Sequence, residues 1–68
     1  MSKALGFIGL GVMGFPMAGH LANQHNNISV FNRTIEKSRI WNTKYTGVVC
    51  KSPAEIAKLS DVIMICIG

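Results

Sequence analysis

The sequence contains few cysteines, few acidic residues and no long hydrophobic run. Its two cysteines, Cys50 and Cys66, have no cluster of histidine or cysteine beside them, so neither a zinc site nor a disulfide framework is expected. The longest uninterrupted apolar run, residues 62–67, is far shorter than the roughly 20 residues that cross a bilayer. These absences predict a cytoplasmic chain without a metal ion and without a membrane partner.

Acidic side chains are also scarce relative to basic ones. Seven Lys and Arg stand against three Asp and Glu, which gives a net charge of +4. An excess of this size favours an anionic partner, and a phosphate group would satisfy it as well as a nucleic acid. The hydrophobic share of 49% against 15% charged residues predicts a packed core instead of disorder, and 68 residues make at most one small domain.

Strand and helix patterns alternate along the chain. Four short apolar runs predict β-strands, at residues 4–8, 28–31, 47–49 and 62–67. The stretches between them predict helices that begin near Val12, at Thr34 as a cap, and at the capping box Ser52-Pro53-Ala54-Glu55. The order β-α-β-α-β-α-β predicts an α/β fold with an open, Rossmann-type parallel sheet.

The apolar residues between the strands recur at helical spacing. In the first helix Met13, Met17 and Leu21 recur at four-residue steps, while the small residues Ala18 and Ala22 lie on an adjoining face and allow close packing. The later helices carry further apolar residues: Ile35, Ile40 and Trp41 in the second, Ile56 and Leu59 in the third. We expect Ile56 and Leu59 to face the sheet.

Right-handed crossovers place the strands in the order 3-2-1-4. The fourth strand then lies at an edge, although its unbroken apolar sequence is typical of a buried strand. This predicts that residues 1–68 are the amino-terminal part of a longer domain. The same order separates Cys50 from Cys66 by about three strand spacings, roughly 14 Å, which predicts two ordinary buried thiols.

A glycine motif lies where the first strand meets the first helix. Gly9-Leu10-Gly11-Val12-Met13-Gly14 fits the G-x-G-x-x-G pattern of dinucleotide-binding turns. In that pattern Gly9 makes the tight turn, Gly11 leaves room for a pyrophosphate, and Gly14 lets helix and strand pack closely. The alternative is a flexible turn that binds no ligand, and the position of the motif between strand and helix favours the dinucleotide.

The residues after the second strand predict which dinucleotide is preferred. An Asp or Glu there would accept a hydrogen bond from the 2′-hydroxyl of NAD, but the sequence has Asn32-Arg33-Thr34. Arg33 can bind the 2′-phosphate of NADP and stack on adenine, Thr34 can donate its hydroxyl, and Lys37 can add a second positive charge. The alternative is a solvated arginine on a loop. We expect NADP to be preferred over NAD.

These residues resemble the signature of a known family. The segment Phe7-Ile8-Gly9-Leu10-Gly11-Val12-Met13-Gly14-Phe15-Pro16-Met17-Ala18 is similar to that of the β-hydroxyacid dehydrogenases, which include 3-hydroxyisobutyrate dehydrogenase, tartronate semialdehyde reductase and 6-phosphogluconate dehydrogenase. The segments Ser52-Pro53-Ala54-Glu55 and Asp61-Val62-Ile63-Met64 resemble the family's third-helix start and fourth strand, and Asn32-Arg33-Thr34 resembles its NADP-using members. The similarity covers essentially the whole chain.

The resemblance implies an NADP-binding domain of an oxidoreductase acting on a small hydroxyacid or semialdehyde. Three groups of cofactor-binding residues follow from it: Leu10, Gly11, Val12 and Met13 at the pyrophosphate and nicotinamide side, Asn32, Arg33, Thr34 and Lys37 at the adenosine phosphate, and Cys66 and Ile67 bordering the cofactor. It also implies that the catalytic lysine and a helical second domain lie outside residues 1–68, so no residue here is catalytic, and that the full-length protein is a homo-oligomer.

Two other functions remain open from the sequence. One is an NADPH-dependent imine reductase, which shares the glycine motif; the other is a non-catalytic NADP-binding module. Trp41 and Tyr45 could form a stacking pair for nucleic acid, but a basic helix with two aromatics is more often a solvated face with a packed edge. We expect no nucleic-acid partner.

Overall fold

The computed structural model describes residues 3–25 and 27–66. Strands and helices alternate along them in the order β1 (Leu5–Ile8), α1 (Gly14–Gln24), β2 (Ile28–Phe31), α2 (Ile35–Lys44), β3 (Val48–Val49), α3 (Pro53–Leu59) and β4 (Val62–Ile65). The β-α-β-α-β-α-β order and the α/β class are therefore confirmed. Residue 67, predicted to end the fourth strand, lies outside the described residues.

The four strands form one parallel sheet in the order β3-β2-β1-β4. Leu5 of β1 is in register with Ile28 on one side and with Val62 on the other, so β1 is a central strand. This is the strand order that the sequence predicted. Strand β4 pairs only with β1 among the described strands, and it forms one edge of the sheet.

The core lies between the central strands and the helices. Phe7, Ile28 and Val30 of the two central strands are buried, and Trp41 of α2 and Ile56 of α3 are fully buried from the helical layers. All four residues of β4 are exposed, Ile65 most of all at 64%. The longest apolar run of the sequence thus forms the least buried strand.

Helix α1 packs on the sheet through its small residues. Gly14, Ala18, Gly19 and Ala22 are its buried positions, whereas the methionines at the start of the periodic pattern are exposed, Met17 at 47%. The close approach continues at Gly19, where a Cβ would overlap the ring of Tyr45. The close packing predicted for Ala18 and Ala22 is confirmed, and Met13 and Met17 lie away from that buried face.

The apolar residues of the later helices differ in burial. In α2 Trp41 is buried, whereas Ile35 and Ile40 are exposed. In α3 Ile56 is buried as predicted, but Leu59 is 49% exposed, so the expectation that Leu59 faces the sheet was wrong. The predicted cap at Thr34 is likewise wrong in part, since Thr34 is the N-cap residue but its side chain makes no capping bond.

Polar side chains determine two helix ends. Ser52 Oγ accepts from the Glu55 N–H at 3.2 Å, as the capping box predicts, but Glu55 Oε1 accepts from the Lys51 N–H at 2.6 Å, one residue earlier than the predicted return bond. At the end of α2, Asn42 Nδ2 donates to the carbonyl oxygens of Tyr45 at 3.2 Å and Gly47 at 3.0 Å. The Ser52 bond satisfies an N–H that the start of α3 leaves unpaired, and the Asn42 bonds hold the chain that follows α2.

Both cysteines are free thiols, as predicted, but only Cys50 is fully buried and Cys66 is half-buried. Burial raises the pKa of the Cys50 thiol, and the Glu55 carboxylate raises it further, against an opposing hydrogen bond from Ser29. Within residues 3–25 and 27–66, no helix has the length and apolar content needed to cross a membrane. In the same part of the chain, no three His, Cys, Asp or Glu side chains come together around a possible metal position.

Candidate functional site

The glycine turn is built on the carboxyl end of the central strand. Gly9 follows β1 with a backbone φ of 101°, a conformation that residues with a Cβ rarely adopt. A Cβ at this position would also overlap the carbonyl oxygen of Cys66. Gly9 is therefore required both by its own backbone and by the neighbouring chain.

Hydrogen bonds extend the sheet past the strand ends and fix this turn from both sides. The Gly9 N–H donates to the Phe31 carbonyl at 2.9 Å, and the Cys66 N–H donates to the Ile8 carbonyl at 2.9 Å. The turn thus lies between the ends of β2 and β4, at the position where parallel α/β sheets bind their ligands.

Gly14 allows α1 to begin directly against the turn. A Cβ on Gly14 would overlap the carbonyl oxygen of Gly9 and lie 3.2 Å from Cε1 of Phe7. The first residues of the helix are therefore held close to the strand that precedes them, as the third glycine of the motif predicts.

Gly11 is different, because the space beside it is open. A Cβ built on Gly11 has no heavy atom within 4 Å. The adjoining side chains are also exposed, Val12 at 89% and Met13 at 68%. Nothing in the described fold requires glycine here, and the open space is what the approach of a pyrophosphate to the backbone requires.

The side-chain amide of Asn32 connects this turn to the loop after β2. Its Oδ1 accepts from the Leu10 N–H at 2.9 Å, and its Nδ2 donates to the Thr34 carbonyl at 3.0 Å. The Leu10 side chain is fully buried and its N–H is already paired, so Leu10 supports the turn from below. Its place at the pyrophosphate stays a prediction, and the Leu10 N–H is not available to a ligand while Asn32 accepts from it.

A cavity of about 400 Å³ lies above the turn. It brings together five of the predicted residues with two from the strand ends: Gly9, Gly11, Asn32, Arg33 and Cys66, with Ile8 and Phe31. Arg33 is exposed at its rim and contributes the only charged side chain among these lining residues. The cavity can therefore accommodate an anionic, elongated ligand over the glycine turn.

A second cavity of about 280 Å³ opens on the other side of Gly11, between α1 and α2. Its lining is apolar apart from Lys37: Leu10, Gly11, Val12, Phe15, Lys37 and Ile40. Lys37 and Arg33 thus border different cavities, although both had been predicted at one phosphate. Met13, Gly14 and Thr34 line neither cavity, and Ile67 lies outside the described residues.

Sequence reasoning missed the apolar walls of these cavities. Ile8 and Phe31 are the last residues of β1 and β2, and the rule that ligands bind at the carboxyl ends of parallel strands could have found them. Phe15 of α1 and Ile40 of α2 line the second cavity together, and no sequence signal pairs residues so far apart.

A parallel sheet with this crossover order and a glycine turn at the end of its central strand defines a Rossmann-type dinucleotide-binding unit. The chain belongs to the family described as the NAD binding domain of 6-phosphogluconate dehydrogenase, which matches residues 4–68. The resemblance seen in the sequence is thereby confirmed, and the cofactor is a nicotinamide dinucleotide.

Similar proteins agree with this assignment. The chain is 47% identical over 62 residues to an uncharacterized oxidoreductase of Shewanella frigidimarina, covering 91% of this chain and 21% of that protein. It is 41% identical over 64 residues to a probable mitochondrial 3-hydroxyisobutyrate dehydrogenase-like protein of Arabidopsis thaliana, covering 94% and 19%. The chain thus spans about a fifth of the length of these relatives.

A solved structure shares the fold. The structure of an imine reductase from Pseudomonas sp. superposes with a TM-score of 0.88, covers 98% of this chain and 23% of that chain, and is 24% identical. At this identity the likeness establishes the fold, and it does not distinguish between reactions.

Proposed function

We propose that this chain is the NADP(H)-binding part of an oxidoreductase that transfers hydride between NADP and a β-hydroxyacid or its semialdehyde. The preference for NADP rests on one observation: Arg33 lines the cavity over the glycine turn, and β2 is followed by Asn32 where an NAD-binding unit has an acid. A carboxylate there would repel a 2′-phosphate, whereas a guanidinium can bind it through two parallel hydrogen bonds.

Thr34 supports the same assignment. It begins α2, but its hydroxyl makes no capping bond to the helix and is therefore free to donate to a phosphate. Lys37 lies one turn further along α2, and its charge adds to the positive potential around the loop from the neighbouring cavity.

The substrate class is proposed from the relatives. A similar protein carries the name of a 3-hydroxyisobutyrate dehydrogenase-like enzyme, and the chain covers 19% of it. Neither described cavity has a carboxylate or a histidine in its lining, so we assign no proton-transfer role to residues 3–25 or 27–66. In this proposal the groups that bind and protonate the substrate belong to a further part of the protein.

The chain's own residues bind and orient the cofactor. Gly11 lets the backbone of the turn approach the pyrophosphate, Arg33 binds the adenosine 2′-phosphate, and Ile8 and Phe31 supply apolar contacts at the strand ends. Bound NADP(H) supplies the hydride chemistry through its nicotinamide ring.

Calorimetric titration with NADPH and NADH tests the proposal. Arg33→Ala should weaken NADPH binding by about 1.5 to 3 kcal/mol and leave NADH almost unchanged, because only NADPH has the 2′-phosphate. Arg39→Ala is the matched control, since Arg39 is an exposed arginine on α2 that lines neither cavity, and both affinities should be retained.

Equal losses of NADPH and NADH binding in Arg33→Ala would contradict the assignment of Arg33. A folded wild-type chain that binds the two cofactors equally well would contradict the preference itself. Folding is monitored by circular dichroism before each titration.

A further inference from the structure

The Asn32 side chain forms a two-ended bridge at the base of the site. One end accepts from the Leu10 N–H inside the glycine turn at 2.9 Å, and the other donates to the Thr34 carbonyl at the start of α2 at 3.0 Å. The Thr34 carbonyl also accepts from the Lys37 N–H at 3.1 Å, so the bridge reaches the first turn of α2.

Arg33 is located between the two anchored positions. Asn32, which precedes Arg33, supplies the side-chain amide, and Thr34, which follows it, supplies the carbonyl oxygen that accepts from this amide. The backbone of Arg33 is therefore closed into a small hydrogen-bonded loop and tied to the turn across the cavity. An isolated arginine on a free loop would lose more conformational entropy on binding a phosphate.

The bridge requires one short side chain that carries both a hydrogen-bond donor and a hydrogen-bond acceptor. Asparagine provides both, and each of its two polar ends makes one hydrogen bond within the protein. This differs from the expectation that Asn32 contacts the adenosine phosphate itself.

We infer that Asn32 is a positioning residue that sets the nucleotide preference through Arg33, by fixing the Arg33 loop at a constant distance from the glycine turn. The inference rests on the proposed preference for NADP. It predicts that removing the bridge lowers NADPH affinity more than NADH affinity, although Asn32 does not touch the 2′-phosphate.

A double-mutant cycle tests the inference. Asn32→Ala should weaken NADPH binding about tenfold and NADH binding much less, because the loop that carries Arg33 is released. In an Arg33→Ala background the same substitution should leave the NADPH to NADH affinity ratio unchanged within about twofold. If the losses of NADPH affinity in the two single variants add in the double variant, Asn32 acts independently of Arg33. That result would indicate direct contact by Asn32 and overturn the inference.

Asn42→Ala is the matched control. Asn42 also donates its amide to two backbone carbonyls, at the opposite end of α2 and away from the cavities. The variant removes similar hydrogen bonds from the same helix, so an unchanged affinity ratio is expected. A similar fall in the ratio in Asn42→Ala would attribute the effect to general loosening of α2 and overturn the inference.

Amide exchange measured by NMR without cofactor tests the bridge itself. The Leu10 amide should exchange faster in Asn32→Ala than in the wild-type chain, and unchanged exchange would contradict the bridge. If Asn32→Ala does not fold, Asn32→Ser replaces it, because the shorter hydroxyl side chain is neutral and cannot span both partners. Unfolding of both variants would make Asn32 a stability residue and overturn the inference.

These measurements separate the two proposals. A wild-type preference for NADPH that depends on Arg33 but not on Asn32 would overturn the inference and leave the proposed function intact. Equal wild-type binding of both cofactors would overturn the proposed function and this inference with it.

Discussion

Gly9 and Gly11 belong to one motif, but their surroundings impose different requirements. Gly9 has a φ of 101° and no space for a Cβ, because the carbonyl of Cys66 occupies that position. Gly11 has no heavy atom within 4 Å of a Cβ position. The first glycine is therefore needed by the fold, and the second is needed only when a ligand is bound.

This difference predicts opposite phenotypes for two substitutions. Gly11→Val should abolish binding of NADPH and NADH with little change in stability, because its side chain projects into the ligand space. Gly9→Ala should lower the free energy of unfolding by about 2 to 4 kcal/mol, because strain and overlap add. Urea denaturation measures the stability of the two variants, and calorimetric titration measures their cofactor binding. A Gly11→Val variant that still binds cofactor would mean that the motif is only a turn.

The glycine motif and Arg33 could be found from the sequence because their spacing is local. The bridge made by Asn32 could not, since its partners are backbone atoms and its role depends on a distance across the cavity. The closure of the turn by Cys66 was equally hidden, because a contact between the two ends of the described chain leaves no local pattern.

At the scale of the elements, the strand order and the small-residue face of α1 were predictable, and the exposure of Leu59 was not. The order β3-β2-β1-β4 is the one expected for a Rossmann-type sheet with right-handed crossovers. Hydrophobic spacing identifies α1 as a helix, whereas the separation between helix and sheet decides which of its rows is buried, and the buried row holds small residues such as Ala18. That separation is a tertiary quantity.

A pair of adjacent substitutions in α1 tests this account. Ala18→Leu should destabilise the chain by about 1 to 3 kcal/mol, because Ala18 is fully buried and extra volume must displace its neighbours. Met17→Lys should change stability by less than about 0.5 kcal/mol, because Met17 is exposed. Chemical denaturation measures both, and a larger cost for Met17→Lys would mean that the methionine row is covered.

At the scale of the whole molecule, strand β4 forms an exposed apolar edge of the sheet. Strand β4 presents Val62, Ile63, Met64 and Ile65 with 36% to 64% of each residue accessible. Among the described strands, none pairs with the side of β4 that faces away from β1, so the backbone groups on that side can pair with another strand.

We therefore expect the 68-residue chain to self-associate as its concentration rises. Ile65→Lys should reduce this association, because a charge on the edge opposes strand pairing, and Met17→Lys adds the same charge on α1 as a control. Sedimentation velocity over a concentration series measures the effect. A wild-type chain that stays monomeric into the millimolar range, or equal effects of the two lysines, would contradict the role of β4.

The contact between Gly9 and Cys66 has a consequence for the order in which the site is made. During synthesis the glycine motif leaves the ribosome before the strand that closes its turn. Until Cys66 donates to the Ile8 carbonyl, the turn is held on the β2 side alone. A nucleotide that recognises the finished turn would stabilise only chains in which β4 is paired with β1. Cofactor binding would therefore shift the population from partly folded chains to fully folded ones.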